Sequence, residues 1–369
     1  MKILVINPIL FTSEKNVIPE IRTIKETMIY GMCQGFMANG HQVTLAAAAD
    51  FRPITAEADY AFDVLFFKSV LKRVFLPALL PLSLDLYKYL KVNHYQFDLV
   101  VCSEVFAFSS LFAAIVCPAK TVIWHEMTIH QKKFRQLPSR CWHRMVVPLF
   151  MRKVKCVIPR SDNACRFISK YMKQVSKEPV DHGVNISRFG FSKEKDRQII
   201  SSSRLVRGKN IESIILIYSK LIKINGYEDV RLLIAGDGDF RKELEALVAQ
   251  LDLQSQVTFL GYLQQHALNE AIRRSYVSMF NTLRDQNMLS ISESVVSGTP
   301  VMTNLLPALS GFVAKERVGI AKDNWDETDL VTIIANNSFY VDNCFNCREK
   351  MSIESCAQKI VNLFLSTGN

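Results

Sequence analysis

The sequence predicts an α/β protein made of two doubly wound domains, and three observations lead to this prediction. Short apolar runs alternate with amphipathic stretches, which is typical of parallel strands covered by helices on both faces. The alternation begins again in the second half of the 369 residues, and a chain of this length suits about two domains. A glycine- and charge-rich segment, 181–196, separates the two sets and reads as a linker.

The individual elements follow in order along the chain. The first set of predicted strands is 2–7, 42–47, 63–67, 98–102 and 121–125, with a helix from Thr23 to Asn39 that ends at Gly40. The second set is 197–203, 230–236, 256–260, 276–280 and 300–303, with helices at 211–224 and 240–251. The domains are therefore expected at 1–180 and 181–352, and a last helix within 353–369 can pack back on the first. Ligands of such domains bind at the carboxyl ends of strands, so we expect site residues there, in a cleft between two facing domains.

Basic residues are concentrated in the first half of the chain. Residues 1–180 carry a net charge of +11 and residues 181–369 a net charge of −1, and the stretch 120–177 alone carries +12. Such a surface suits a phosphorylated ligand, an anionic membrane or nucleic acid. The sequence contains no recognisable nucleic-acid reading module or aromatic–basic platform, so nucleic acid is not predicted as a partner.

The targeting and cysteine patterns predict a cytoplasmic protein. The sequence opens on a strand rather than a signal peptide, and its longest apolar runs, such as 105–119, fall short of the roughly 18 residues of a spanning helix. Its nine scattered cysteines read as reduced thiols. Cys344 and Cys347 have CxxC spacing, but no fourth ligand lies nearby in sequence, so a zinc site is not predicted.

The turns after the predicted strands carry weak signals when each is taken alone. No glycine precedes Gly31, which argues against a dinucleotide fold with a GxGxxG turn. Arg204 and Lys209 lie across a strand-to-helix turn where they could hold a diphosphate, although spacing alone favours a basic surface turn. Asp237 and Asp239 have the D-x-D spacing of a metal site, but a turn with Asp239 as helix N-cap is favoured.

Three polar residues follow neighbouring strands of the first half. His125 ends the strand 121–125, Glu126 lies beside it, and Glu104 follows the strand 98–102. A histidine at this position could hold a sugar or accept a proton. The alternative is a structural histidine.

The segment DQNMLSISESVVSGTPV, 285–301, holds two acids eight positions apart. Asp285 follows a predicted strand, and Glu293 lies one to two turns into a predicted helix. Ser290 and Glu293 fit a capping box, and Gly298 fits a helix stop. On that interpretation Glu293 only satisfies backbone donors.

In their order along the chain, these segments resemble retaining glycosyltransferases of family 4. Asp285 to Glu293, followed by SGTPV at 297–301, is similar to the family's E-x7-E and CGxPV motifs. SRLVRGK at 203–209 resembles the phosphate motif GRLxxxKG, and the segment 232–247 resembles the family's strand–GxG–helix unit. Further similar segments are FLGYL at 259–263, HGVNISRF at 182–189 and MANGHQVTLAA at 37–47. The resemblance covers most of the chain.

The resemblance implies the GT-B fold, with two facing Rossmann-like domains, and transfer of a sugar from a nucleotide donor. Arg204 and Lys209 would hold the donor diphosphate. Asp285 would contact hydroxyls of the donor sugar, and Glu293 would bind the ribose. The other donor-binding positions would be Met288, Leu289 and Ser290.

His125 would lie beside the reacting sugar, and Glu126 and Glu104 would lie on the acceptor side. The expected reaction is a front-face attack in which the leaving diphosphate oxygen helps to take the acceptor proton. Arg204 and Lys209, with a helix N-terminus, would replace a metal, so no metal cofactor is expected.

The sequence departs from the family pattern at the donor loop. Asp285 stands where the family usually has Glu, and Gln286-Asn287-Met288 stands where it usually has Gly-Phe-Gly. Glycines there let the backbone approach the donor closely, so we expect this loop to select the donor's sugar.

The expected partners are a nucleotide-sugar, with UDP favoured over GDP, and a glycan or undecaprenyl-linked acceptor in O-antigen lipopolysaccharide or capsule synthesis. The stretch 65–91 joins bulky apolar residues to five basic ones, Lys68, Lys72, Arg73, Lys88 and Lys91. This composition is consistent with peripheral attachment to the anionic inner face of the plasma membrane. A helical pair that covers the core is the alternative.

Two other functions are alternatives to glycosyl transfer. A GT-B sugar-nucleotide epimerase would turn over the donor without an acceptor. A non-catalytic member would bind a sugar nucleotide or a partner without turnover.

Overall fold

The computed structural model describes residues 1–11, 18, 20–55, 59–131, 133–283 and 288–367. They belong to two compact units. The first unit consists of Met1–Gly183 and Ile353–Asn369, and the second is Val184–Ser352. The first segment of this unit thus ends at Gly183, three residues after the domain boundary predicted at residue 180.

A parallel six-stranded sheet forms the centre of the first unit. Its strands are β1 (Lys2–Ile6), β2 (Gln42–Ala48), β3 (Asp63–Phe67), β4 (Leu99–Ser103), β5 (Thr121–His125) and β6 (Cys156–Pro159). Their order across the sheet is β3-β2-β1-β4-β5-β6, and each neighbouring pair is parallel. Every residue of β4 and β5 is buried, as expected for a sheet covered on both faces.

Helices cover this sheet on both sides. They are α1 (Met28–Ala38), α2 (Leu84–Asn93), α3 (Phe108–Val116), α4 (Leu137–Cys141), which continues as a π-helical stretch (Trp142–Met151), and α5 (Asp162–Ile168). Short 3-10 turns lie at Ala49–Phe51, His94–Gln96, Pro118–Lys120 and Lys133–Gln136. One core lies between the sheet and α1, and the other lies under α2, α3 and the π-helical stretch.

The second unit repeats the plan. Its strands are β7 (Gln198–Ser202), β8 (Arg231–Ala235), β9 (Val257–Gly261), β10 (Ser278–Phe280), β11 (Val301–Thr303) and β12 (Gly319–Ala321), in the order β12-β11-β10-β7-β8-β9. Its helices are α6 (Ile211–Leu221), α7 (Arg241–Gln250), α8 (Gln265–Arg273), α9 (Leu289–Val296), α10 (Ser310–Lys315), α11 (Glu327–Ala335) and α12 (Asn337–Cys347), with 3-10 turns at Ile186–Arg188, Arg207–Lys209 and Glu349–Met351. The strand order reverses between β1 and β4 and between β7 and β10, which are the positions where doubly wound sheets bind ligands.

The chain returns to the first unit after completing the second. The last helix, α13 (Ile353–Ser366), packs on α1. The contact is close at Gly35, where a Cβ atom would lie 2.4 Å from the carbonyl oxygen of Ile353.

Several predicted elements differ from the observed ones. The prediction omitted β6 and β12, since β6 is a four-residue strand that ends in a proline and β12 has three residues. Helix α1 begins at Met28 rather than Thr23, because the Thr27 side chain accepts a hydrogen bond from the backbone N–H of Tyr30 and caps the helix. The segment predicted as a linker packs mostly on the second unit, where Val184 and Phe189 are buried.

The stretch 65–91 does not form the helical pair that was the alternative to a membrane-binding segment. It holds the end of β3, a series of turns closed by an antiparallel bridge between Val70 and Leu82, and the single helix α2, which extends to Asn93. Ser83 caps α2 by accepting a hydrogen bond from the backbone N–H of Leu86.

Candidate functional site

The carboxyl ends of β7, β8 and β9 meet at a cavity in the second unit. The cavity has a volume of about 240 Å³, and its lining includes Arg204, Gly236, Asp237, Tyr262 and Ser290. It therefore lies at the edge of the sheet where ligands of doubly wound domains bind.

Two glycines let the turn after β8 lie directly against the turn after β7. Gly236 has a φ of +131°, and a Cβ atom there would lie 1.9 Å from the carbonyl oxygen of Ser203. A Cβ atom at Gly238 would lie 2.2 Å from the carbonyl oxygen of Leu205. The backbone N–H of Leu205 donates to the carbonyl oxygen of Asp237 at 2.9 Å and fixes the contact. The Asp-Gly-Asp turn thus supports the basic turn that follows β7.

The basic turn places Arg204 and Lys209 differently. Arg204 is exposed and lines the cavity, whereas Lys209 is half-buried and ends the next 3-10 turn. Gly208, beside Lys209, accepts a hydrogen bond through its carbonyl oxygen from the backbone N–H of Leu283 at 2.8 Å. The chain shortly after β10, at Leu283, is therefore held beside the basic turn.

Helix α9 brings Ser290 to the cavity. The helix begins at Leu289, so Ser290 is its second residue and Glu293 its fifth. The predicted capping box is wrong, because the N-cap residue is Met288 and makes no side-chain cap. The predicted helix stop is confirmed at Gly298, which follows the helix with a φ of +80°.

The other predicted donor-binding residues lie around this helix start. Glu293 is half-buried, and burial raises the pKa of its carboxyl group although a hydrogen bond with Gln265 opposes the shift. Met288 is buried in the apolar core and Leu289 is exposed. The described residues that line the cavity do not include Met288, Leu289, Glu293 or Lys209.

Asp285 lies outside the described residues, as do Gln286 and Asn287. The predicted roles of this segment, and those of the other donor-binding residues, stay predictions.

Glu104 and His125 meet at the carboxyl ends of β4 and β5 in the first unit. His125 is fully buried, its Nδ1 lies 3.1 Å from Oε2 of Glu104, and its ring stacks on Phe167. Glu104 has a φ of +68°, and its Oε1 accepts hydrogen bonds from the backbone N–H groups of Glu126 at 2.5 Å and Met127 at 3.2 Å. The predicted catalytic histidine therefore sits inside the domain, oriented by a carboxylate.

The surroundings of Glu104 favour its ionised form. Burial acts to raise the pKa of this carboxyl group, but interactions with His125, with Arg160 and with the Glu126 N–H outweigh burial. The pKa of Glu104 therefore lies below its usual range, and the group carries a negative charge at neutral pH.

Arg160, which directly follows β6, joins this cluster. Its guanidinium donates to Oε2 of Glu126 at 2.6 Å, lies 3.2 Å from Nε2 of His182, and covers the ring of Trp124 at 3.8 Å. Arg160 and His182 were not among the site residues predicted from the sequence. Arg160 was missed because β6, the strand that it follows, was not predicted. His182 was noted only as part of the similar segment HGVNISRF.

Half-buried Asp181 and buried His182 complete the cluster. Burial raises the pKa of Asp181 to about 6, with Glu126 adding to the shift and the His182 backbone N–H and Arg160 opposing it. Burial and the charge of Arg160 together hold the pKa of His182 well below its usual range, so its ring is neutral at pH 7. The first unit thus offers a neutral imidazole, a buried guanidinium and carboxylates at one sheet edge, a set suited to binding hydroxyl groups.

No group of three or more His, Cys, Asp or Glu side chains in the described part of the chain is placed to hold a metal ion. Asp237 lies 3.8 Å from Arg241, and its Oδ1 accepts a hydrogen bond from the backbone N–H of Gly238 at 2.8 Å. The predicted N-cap role of Asp239 is wrong, since Phe240 occupies the N-cap position of α7.

Two family models match the chain one after the other. The model described as Glycosyltransferase Family 4 matches residues 26–188, and the model described as Glycosyl transferases group 1 matches residues 185–336. The chain is built of two glycosyltransferase domains. The Glu104–His125 cluster lies in the first of these domains, and the cavity at Arg204 lies in the second.

Curated sequences similar to this chain include enzymes of glycolipids and surface glycans. It is 24% identical over 251 residues to the alpha-monoglucosyldiacylglycerol synthase of Streptococcus pneumoniae, covering 62% of this chain and 56% of that protein. It is 23% identical over 200 residues to the O-antigen chain mannosyltransferase RfbU of Salmonella typhimurium, covering 54% and 55%. The matched region spans about half the length of these relatives.

Solved structures share the fold of this chain over nearly its whole length. Anabaena Alr3699/HepE in complex with UDP is similar with a TM-score of 0.65 at 15% identity, covering 99% of this chain and 100% of that chain. The lipopolysaccharide outer core galactosyltransferase WaaB is similar with a TM-score of 0.63 at 14% identity, covering 99% of each chain. These likenesses, with the two parallel six-stranded sheets, confirm the predicted GT-B fold.

None of the helices in the described ranges is both long enough and apolar enough to cross a membrane.

Proposed function

We propose that this glycosyltransferase moves a hexose-type sugar, with retention of configuration, from a nucleotide-sugar to a glycan or lipid-linked glycan. The observation that carries the proposal is the cavity at the carboxyl ends of β7, β8 and β9, where exposed Arg204 and half-buried Ser290 share one lining. Ser290 lies in the first turn of α9. The first turn of a helix presents backbone N–H groups, and together with a guanidinium these bind a diphosphate.

The donor would lie with its diphosphate at Arg204 and the start of α9. Lys209 supplies a second positive charge from the adjacent turn. Glu293, further along α9, would accept hydrogen bonds from the ribose, and Asp285 would contact the sugar. The exposed ring of Tyr262 belongs to the same lining and is suited to stack on the base.

The transfer step breaks the bond between the sugar C1 and a diphosphate oxygen and forms a bond from C1 to the acceptor oxygen. The proton of the acceptor hydroxyl passes to the leaving diphosphate oxygen. Arg204, Lys209 and the α9 N-terminus stabilise the charge that develops on the diphosphate, so this proposal needs no metal. In the first domain, His125 would lie beside the reacting sugar, and Glu104 and Glu126 would lie on the acceptor side.

The similar proteins support the choice of donor and acceptor. The Anabaena protein of the same fold was solved with UDP and with UDP-glucose, which favours UDP over GDP. Two curated relatives are named as a glycolipid synthase and an O-antigen chain mannosyltransferase. A segment of 68 residues is 38% identical to a Campylobacter jejuni enzyme, an N-acetylgalactosaminyltransferase named for a diphospho-undecaprenol substrate. We therefore propose a lipid-linked or surface-glycan acceptor and a location in the cytoplasm or on the inner face of the plasma membrane.

A thermal-shift screen with UDP, GDP, ADP and their common sugar conjugates tests the donor. We expect UDP and one UDP-sugar to raise the melting temperature most, because a ligand at 100 times its Kd adds about 2.7 kcal/mol to the native state. A screen in which none of these nucleotides raises the melting temperature would contradict the proposal.

The matched variants Lys209→Ala and Lys223→Ala test the diphosphate site. Lys209 lies at the basic turn before α6, whereas exposed Lys223 lies beyond the other end of that helix. We expect Lys209→Ala to reduce the transfer rate about 100-fold, as loss of a charge-stabilising donor does, and Lys223→Ala to leave it unchanged. Full transfer by Lys209→Ala would exclude this site.

Two further results separate the competing functions, and a third tests the metal-free step. Turnover of the donor without acceptor would indicate an epimerase, and nucleotide binding without turnover across a broad acceptor screen would indicate a non-catalytic protein. Loss of transfer in EDTA with recovery on adding a divalent ion would contradict the metal-free step.

A further inference from the structure

The exposed side of the helical segment 137–153 consists of apolar and basic residues. The segment is made of α4, the π-helical stretch and the two residues after it. Its exposed large apolar side chains are Leu137, Met145, Leu149 and Phe150, at 60%, 61%, 68% and 49% exposure. Its exposed basic side chains are Arg140, Arg144, Arg152 and Lys153. We name these eight residues the basic–apolar face.

The other side of the same segment anchors it in the first domain. Trp142, Val147 and Met151 are buried in the core, and the indole N–H of Trp142 donates to the carbonyl oxygen of Val105 at 2.9 Å. A helix fixed in this way normally turns charged and neutral polar side chains to water. Packing of the domain therefore does not account for the exposure of Leu149 and Phe150.

The electrostatic surroundings of the face are positive. Residues 127–161 contain nine Lys and Arg and no Asp or Glu. Nearby His130 is affected, because burial and then the charges of Arg140, Arg144 and Lys170 lower the pKa of its ring. Anionic lipid headgroups have the complementary charge, and each basic side chain near such a surface adds to its attraction.

We infer that the basic–apolar face docks the first domain on an anionic lipid bilayer. No helix in the described part of the chain can cross a membrane, so the segment would lie in the plane of the interface. Leu149 and Phe150 would enter the headgroup–acyl boundary, and the arginine heads would remain at the phosphates. Docking by itself does not depend on the transfer reaction. Its use, to bring the enzyme to a lipid-linked acceptor, rests on the proposed function.

Other occupants fit the face less well. A second copy docked through a two-fold axis would bring four cations against the same four cations. Nucleic acid would match the charge, but its interfaces are polar and would leave the large apolar side chains unused. On the stretch 65–91, Leu71 and Val74 are also exposed, but neighbouring Lys72 is paired with Asp50 at 2.6 Å.

Cys141 provides a reporter on the segment itself. It is exposed, whereas the eight other cysteines are buried or partly buried. The full chain is labelled there with an environment-sensitive maleimide dye and mixed with vesicles of phosphatidylcholine alone or of equal parts phosphatidylcholine and phosphatidylglycerol. With the anionic vesicles we expect co-sedimentation and dye emission at shorter wavelength, both reduced by high salt. With the neutral vesicles we expect neither.

Two pairs of substitutions on unlabelled protein separate charge from apolar insertion. We expect Arg140→Gln/Arg144→Gln and Leu149→Ser/Phe150→Ser each to weaken binding to anionic vesicles about tenfold or more. The control Lys223→Gln/Lys315→Gln removes the same charge from exposed positions of the second domain and should bind as the parent does. The thermal shift with UDP, measured on every variant, reports the donor site separately from docking.

Several outcomes would overturn the inference. One is no binding of the parent chain to anionic vesicles at low salt. Another is unchanged binding by both double variants of the face. A third is loss of binding with Leu71→Ser/Val74→Ser while Leu149→Ser/Phe150→Ser binds normally, which would place the surface at 65–91. Dimer formation through the face, lost in Leu149→Ser/Phe150→Ser and independent of lipid, would also replace the bilayer by a second copy.

Discussion

Glu293 and Asp181, one in each domain, are carboxyl groups whose pKa burial raises. Burying a carboxylate costs free energy, so groups of this kind gather at functional sites more often than elsewhere. Glu293 lies on the helix that begins at the cavity, and Asp181 belongs to the Glu104–His125 cluster, close to Arg160. The Glu293 carboxyl group gives a prediction for the pH dependence of UDP binding, and the Asp181 carboxyl group gives one for the pH dependence of stability.

Replacing Glu293 by Gln should weaken UDP binding about tenfold at pH 7.5, since a hydrogen bond to a charged group contributes about 1.5–3 kcal/mol. The ionised carboxylate accepts from the ribose, so in the parent this contribution is present above the raised pKa of Glu293 and is lost as the pH falls through it. Because the terminal phosphate of UDP also titrates in this range, titration calorimetry of UDP from pH 5 to 8 should show a steeper dependence in the parent than in Glu293→Gln. Glu270→Gln, at an exposed position of α8, is the control. Equal affinities of parent and Glu293→Gln across that range would contradict the ribose role.

Replacing Asp181 by Asn should stabilise the protein at neutral pH. The folded-state pKa of Asp181 is about 6, against an unfolded value near 3.8. Between these values the folded state holds a proton that the unfolded state does not, so stability falls as the pH rises through this window. We expect Asp181→Asn to raise the free energy of unfolding by about 2 kcal/mol at pH 7.5 and by little at pH 4, in urea titrations. The surface variant Asp85→Asn should show no such difference, and a destabilised Asp181→Asn at pH 7.5 would contradict the argument.

At the scale of elements, the decisive contacts are those in which one turn or helix approaches another closely. The turn at Gly236 and Gly238 lies against the turn that carries Arg204, and α1 lies against α13 at Gly35. In both cases glycine is required because a Cβ atom would collide with a backbone carbonyl oxygen of the neighbouring element.

The α1–α13 contact can be tested within one helix. A Cβ atom at Gly35 would lie 2.4 Å from the carbonyl oxygen of Ile353, whereas one at Gly31 would lie 3.9 Å from the Ile353 side chain. We expect Gly35→Ala to lower the free energy of unfolding by about 2–3 kcal/mol through overpacking. Gly31→Ala should be neutral or stabilise by about 0.5–1 kcal/mol, because alanine favours a helix more than glycine does. Chemical denaturation of the two variants measures the difference, and equal stabilities would contradict the close packing.

At the scale of the whole molecule, the chain builds the same sheet twice and then returns to the first domain. Both sheets reverse their strand order after three strands, so each domain has its own ligand-binding edge. The return adds α13 to the core of the first domain, where its buried residues are Ile353, Cys356, Ala357, Ile360 and Val361.

Removing residues 353–369 should therefore weaken one domain and spare the other. The first domain loses the apolar contacts of α13, so we expect its melting temperature to fall by more than about 5 °C. The cavity at Arg204 lies in the second domain, so the stabilisation by UDP should persist. Differential scanning calorimetry with and without UDP distinguishes the two domains. An unchanged first-domain transition would contradict the role of α13, and a lost UDP effect would contradict its independence from the donor site.

The sequence by itself determined the GT-B fold and the presence of glycosyltransferase domains. The run 121–125 predicted its strand to the residue, because a strand buried on both faces has few positions for charged side chains. The run 63–67 also matched its strand to the residue, although this strand lies at the edge of the sheet and is only partly buried. The order of the motifs then indicated glycosyltransferase domains. Sequence reasoning could also name the polar residues after strands, since chain order alone shows where a strand ends.

Only the tertiary structure decided which of those residues meet. It placed Glu293 fifth in α9 rather than in a capping box, buried His125 beside Glu104, and added Arg160 and His182 to that cluster. These residues come from different strands and loops, and the chain brings them together only by crossing from one strand to the next. Periodicity along a sequence reports the local burial of a side chain and contains no information about its distant neighbours, so the composition of each site follows from the packed sheets.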